Sequence, residues 1–170
     1  MNRKTLITAN TRSIKILFLA VFITLLTAAM YVQISHATPG SGVTAELLAS
    51  GDLPEPIRVK FKDDSKVDMD VTRILTYRIT IAPGGVTGWH QHGGPHSILV
   101  VSGTLTYYEG DDPTCTSVNY SAGSAILDPG FDSHFVKNNG SEPVVTYVTQ
   151  WLPKDGIFRI DVPAPGNCGF

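Results

Sequence analysis

From residue 57 onward the chain is written in short β-branched and aromatic runs, with no stretch that offers an amphipathic helix of ordinary length. The runs lie at 57–62, 74–82, 97–102, 105–109, 125–127, 134–137, 144–152 and 157–162. PGG, GGP, GDDP, DPG and NNGS punctuate them as turns. Within one run Leu75, Tyr77, Ile79 and Ile81 fall on one face, and Thr76, Arg78 and Thr80 on the other. Many short strands with turns at this spacing predict an all-β sandwich or closed barrel. Upstream, residues 38–42 read as a Pro/Gly/Ser linker, and VTAELLAS at 43–50 predicts one or two helical turns.

The first residues decide the compartment. Arg3, Lys4, Arg12 and Lys15 precede an apolar run at 16–30, and Ser35-His36-Ala37 supplies a small-x-small pattern. That is the shape of a secretory signal peptide over 1–37, cleaved after Ala37. The competing reading is an uncleaved membrane anchor, since the apolar stretch approaches spanning length. The leader has no Arg-Arg pair, which argues for export unfolded and folding outside the cytoplasm, in a periplasmic or extracellular space.

Removing the leader takes four of the 13 basic residues and none of the 15 acidic ones, leaving nine against 15 and a net charge of −6. A domain this acidic has no electrostatic footprint for nucleic acid. The remainder is long enough for one domain with its own core. We divide it into a linker and short N-terminal segment at 38–55, a barrel domain at 56–163 and a tail at 164–170. Cys115 and Cys168 have no metal-ligand spacing, and an oxidising compartment lets them pair, tying down the tail PAPGNCGF. The alternative is two free thiols.

Four of the five histidines, His90, His92, His96 and His134, sit in two glycine- and proline-punctuated segments. The first reads GGVTGWHQHGGPHSILVVSG from Gly84 to Gly103, the second GSAILDPGFDSHFVKN from Gly123 to Asn138. Neutral imidazole is the commonest protein metal ligand, and such a cluster makes the chain a candidate metal-binding protein. On a strand His90 and His92 share one face, with Trp89 and Gln91 on the other. The Gly-Gly-Pro that follows predicts a tight reversal returning His96 beside His92, three ligands from one hairpin. His134 must come from another strand.

The spacing Gly84, His90-x-His92, His96, Gly103 resembles the first signature of the cupin superfamily, which carries a glutamate where this chain has His96. Gly123, Pro129, His134 and Asn138 resemble the second, with Phe131 in place of the usual glycine and Gly130 one place early. The resemblance implies a double-stranded β-helix, a small jelly-roll barrel, with a divalent metal on its inner face. His90, His92 and His134 match the family's ligand positions, and His96 occupies the fourth; its competing role is to line the pocket beside a three-histidine site. Four neutral ligands leave the metal's charge uncompensated and strengthen it as a Lewis acid. Metal acquired outside the cytoplasm by four imidazoles favours copper or zinc, while iron, manganese and nickel also suit the set.

Tyr77, Tyr107 and Phe131, with Tyr147 and Trp151, are candidates to line the cavity or to fill the core. Leu99, Val101 and Trp89 face away from the histidines and want cover, from the N-terminal segment or from a second subunit in a homodimer. The resemblance admits a quercetin-dioxygenase-like metalloenzyme acting on a small organic molecule, a non-catalytic cupin that stores or senses a metal or ligand, and a Lewis-acid lyase or isomerase. One scaffold hosts all of these, so the site must choose.

Overall fold

The computed structural model describes residues 37–61 and 67–170, and among them there is no helix. The leader lies outside these residues. Ten strands form one antiparallel sheet that curls into a nearly closed jelly-roll barrel. They are β1 (Ser41–Lys60), β2 (Asp68–Val86), β3 (His90–Gln91), β4 (His96–Ser102), β5 (Thr104–Glu109), β6 (Ser117–Ser121), β7 (Ala125–Asp128), β8 (His134–Lys137), β9 (Val144–Leu152) and β10 (Ile160–Asp161). The pairing order runs β10-β3-β8-β2-β9-β4-β7, with β1 added to β2 and β5 joining β6 to β8.

Period-two alternation builds the core. Along β9, Val144, Thr146, Val148, Gln150 and Leu152 are buried while the residues between them are not. They meet Ile81 from β2, Ile98 and Val100 from β4, Leu105 from β5 and Val136 from β8. The outer faces of β4 and β9 stay open to solvent, with Leu99, Val101 and Tyr147 each about half exposed.

The N-terminal segment departs from expectation. Residues 43–50 are strand, not helical turns: Val43 pairs with Ile81, Thr44 with Thr80 and Ala45 with Ile79. A segment this short cannot sustain a helix on its own propensity. Docking on the edge of β2 satisfies its backbone instead. Nor is the stretch before it a loose linker, since Ala37 bridges Pro163 and the Thr38 hydroxyl accepts from Trp89 N at 2.7 Å. Pro54 and Pro56 fall inside a register break between Asp52 and Ile57, where a missing N–H removes no ladder bond.

The hairpin expected to carry three histidines does not form. β3 pairs with β8 and β10, whereas β4 pairs with β7 and β9. The intervening Gly93-Gly94-Pro95 crosses between sheet layers, bonded to three separate segments: His92 N to Gly130 O, Gly93 N to Ile157 O and Trp151 N to Pro95 O. A Cβ on Gly94 would run into the Trp151 carbonyl, and one on Gly130, whose φ is +104°, into the Gly94 carbonyl. Gly130, one place early in its signature, is thus required by close backbone approach.

The C-terminal tail covers Trp89. Cys115 and Cys168 form a disulfide with their Cα atoms 5.3 Å apart. It holds Phe170 against Phe135, Tyr108 and Trp89, at ring separations of 4.8, 5.1 and 6.5 Å. Replacing both cysteines by serine is expected to lower stability by roughly 4 kcal/mol in the chain-entropy limit. The urea midpoint reads that loss, and a red shift in tryptophan emission reports the uncovering of Trp89. An unchanged midpoint would mean that packing of Phe170 alone holds the tail.

Candidate metal centre

Two cross-strand pairs assemble the site. His90 on β3 stands opposite His134 on β8, and His96 on β4 stands opposite Asp128 on β7. The four imidazoles converge from these pairs. Ring centroids lie 4.3 Å apart for His90 and His134, 5.0 Å for His90 and His92, 5.2 Å for His92 and His134 and 4.1 Å for His92 and His96. All four are buried. His90, His92 and His134 each bring a nitrogen within 4.8 Å of the others; His96 forms a second such group with Asp128 and His134. The structure therefore brings the four predicted histidines together, but as two overlapping triads.

Hydrogen bonds behind the rings fix their tautomers. His90 Nδ1 bonds the Gly88 carbonyl at 3.0 Å, and His92 Nδ1 bonds the Phe158 carbonyl at 2.5 Å. A carbonyl only accepts, so each Nδ1 carries the proton and each Nε2 keeps a lone pair. Burial keeps both rings uncharged. It pushes His92 down to about 2, with His96 and His134 adding repulsion, and it lowers His90 as well, helped by His134 and Arg159. His96 falls to about 4, again through burial, with Asp128 opposing.

Asp128 is the residue that sequence reading passed over. It accepts from Tyr107 Oη at 2.5 Å and Gly130 N at 2.6 Å. Its carboxylate lies 3.2 Å from His134 Nδ1 and 3.8 Å from His96 Nδ1. Burial pushes this carboxyl up, but His134, His96 and the Tyr107 hydroxyl outweigh it and hold it ionised. In the sequence it belongs to the turn signal DPG. Its signal is phase: on β7 it stands two residues after Ile126, which packs on the core, and so shares that strand's inward face.

The histidines open on a cavity of about 360 Å³ whose wall is largely branched aliphatic, including Ile79, Ile98, Leu105, Val136 and Val148. Tyr77, Tyr107 and Phe131 are not among its lining residues. Tyr107 is core, stacked behind His134 at 5.0 Å and tied to Asp128. Tyr77 packs at 4.1 Å on Phe158, and it is Phe158 that reaches the cavity. Phe131 is exposed, because the turn that carries it faces outward. Arg159 and Asp161 also line the cavity, and neither was singled out from the sequence.

Residues 77–149, which span all four histidines and Asp128, match the family described as Cupin domain. Two solved structures share the fold. The polyketide cyclase RemF from Streptomyces resistomycificus is 17% identical with a TM-score of 0.52, over 76% of this chain and 77% of that one. An oxalate decarboxylase is 21% identical with a TM-score of 0.50, over 75% of this chain and 30% of that one. No curated protein sequence matches the chain. Fold, paired histidine segments and family match together support the cupin superfamily.

The buried neutral rings tie stability to pH. An unfolded histidine titrates near 6.5, whereas His96 in the fold does so at about 4. Below 6.5 the unfolded chain therefore takes up a proton that the folded chain refuses. Metal-free protein should be most stable above pH 6.5 and lose stability progressively down to about 4, with His92 extending the loss to about 2. Urea midpoints of chelator-treated protein between neutral and mildly acidic pH measure this, and a midpoint that rises on acidification would contradict it.

Proposed function

We propose that this chain is an exported cupin that holds one divalent metal on His90, His92 and His134, with His96 closing the set as fourth ligand, and that it acts as a metal-dependent oxygenase on a small organic molecule. The observation that carries the metal reading is the preformed triad: three buried imidazoles whose nitrogens lie within 4.8 Å of one another. Two of them are already fixed in the tautomer that ligation requires. The donor set is all nitrogen and suits a borderline transition metal. When bound, the metal would supply Lewis acidity and, for a redox-active ion, electron transfer to O2 or substrate.

The chain's own residues do the remainder. Carbonyls of Gly88 and Phe158 orient His90 and His92. Asp128 compensates charge next to His134 and His96 from outside the cavity. The aliphatic wall excludes water and receives an apolar body. Asp161 is the one carboxylate lining the cavity, and Arg159 Nε holds it at 2.6 Å. A lyase or isomerase needs a base free to take a proton, so this arrangement disfavours that class. A non-catalytic binding protein is the second reading, supported by the absence of a free acid or base among the described lining residues.

Export is supported by the leader pattern and by the disulfide, which forms in oxidising compartments. No helix among the described residues is long and apolar enough to cross a membrane. Folding after export favours copper or zinc in the site.

Protein recovered from the exported fraction should carry about one metal per chain by elemental analysis, mainly copper or zinc, and lose it when His92 and His134 are both replaced by alanine. Stoichiometric metal in that double variant would end the assignment. His96→Glu should retain the metal with an altered spectrum or potential, and His96→Ala should weaken affinity by roughly tenfold or more. Unchanged affinity in both would move His96 out of the ligand set. Oxygen uptake screened on phenolic and diketone substrates then separates the oxygenase from the binding protein.

A further inference from the structure

We propose that Arg159 makes this cavity a receptor for small organic anions, with an oxyanion, typically a carboxylate, on the guanidinium and an apolar body against the barrel wall. The proposal deepens the metal-centre reading and rests on it for what the other end of the ligand meets. Arg159 is the one permanent cation among the described lining residues, and it shares the cavity with His90, His92 and Phe158. Its head group is positioned in advance. Nη2 donates to the Thr87 carbonyl at 2.6 Å, and Nε and Nη2 both reach Asp161 Oδ1 at 2.6 Å. Those bonds leave Nη1 to a ligand, and the side chain is 28% exposed.

Charge balance points the same way. Histidine ligands are neutral, so a dipositive ion would bring its full charge into the cavity. Arg159 adds another. Against them the wall offers only Asp161, which is 55% exposed and screened by water, while Asp128 lies behind His134 and is not part of the lining. A loaded cavity is therefore electropositive within a largely aliphatic enclosure, where charges are weakly screened. An anion is drawn in, and the branched aliphatic wall selects one with an apolar body over a small inorganic ion.

The test uses hexanoate and its neutral counterpart hexanamide, titrated calorimetrically into zinc-loaded and chelator-treated protein. A charge-assisted contact to the guanidinium should make hexanoate bind about tenfold tighter than hexanamide in both forms. Arg159→Gln should remove that preference while metal content stays unchanged, and Arg159→Lys should restore part of it. A preference that survives Arg159→Gln but vanishes on stripping the metal would place the anion on the metal; this proposal then fails and the metal reading stands. If the unmodified protein fails to take up zinc at all while the preference persists, the metal reading falls and the Arg159 assignment stands. Equal affinities in the unmodified protein overturn the proposal outright. Should Arg159→Gln not fold, Asp161→Asn carries the test: it leaves the guanidinium less neutralised, and a hexanoate affinity that does not rise severalfold is equally fatal.

Discussion

Holding several imidazoles uncharged at close quarters is the constraint on which this structure depends. A proton on His90, His92 or His96 would face burial and the neighbouring rings, so burial holds these three uncharged. Neutral imidazoles still need partners on the nitrogen that faces away. For His90 and His92 the fold supplies backbone carbonyls, one from Gly88 on the same strand approach and one from Phe158 just before β10. The C-terminal segment is therefore part of the site: β10 pairs with β3 through Ile160 and Asp161. That pairing keeps the Phe158 carbonyl beside His92.

The same requirement explains why β3 and β4 diverge. A two-stranded hairpin would have placed His96 in the layer that already holds His90 and His134. By crossing at 93–95 the chain gives His96 to the other layer, between β7 and β9, where its cross-strand neighbours are Asp128 and Gln150. The crossing is possible only because Gly94 and Gly130 approach backbone to backbone. Rings from two layers then meet with His92 and His96 only 4.1 Å apart, and the barrel interior becomes a single cavity.

Much of this was legible beforehand where a local rule and the tertiary fold agree. The alternation in 74–82 and 144–152 survives within β2 and β9, because both strands bury one face in the core. The spacing of His90, His92, His96 and His134 carried the cluster because ligand sets need specific residue types at specific phases. What escaped depended on a neighbour far away in sequence. Residues 43–50 look helical until the edge of β2 is present to pair with them. Tyr107 reads as either a cavity or a core aromatic until Asp128 claims its hydroxyl. Phe158 and Arg159 matter because β10 folds back onto β3, and nothing local in IFRID announces that return. Strand pairing across long separations is set by the whole barrel, and short windows of sequence do not contain it.

Asp128 places a negative charge directly behind two of the histidines. The resemblance to cupins implies a carboxylate where this chain has His96, and a carboxylate on the metal would cancel part of its charge directly. Here the carboxylate stands across the strand from His96, 3.8 Å from its Nδ1, and it also reaches His134 at 3.2 Å. The negative charge is retained but moved back by one residue's width. Tyr107 and Gly130 each donate to one of its oxygens and fix it there. It can still raise the basicity of His134, as carboxylates behind metal-bound histidines do. A metal held as proposed would thus keep most of its positive charge facing the cavity while its ligands are strengthened from behind. A cavity with positive charge at the centre, Arg159 at its side and aliphatic residues elsewhere discriminates by ligand charge first and by shape second.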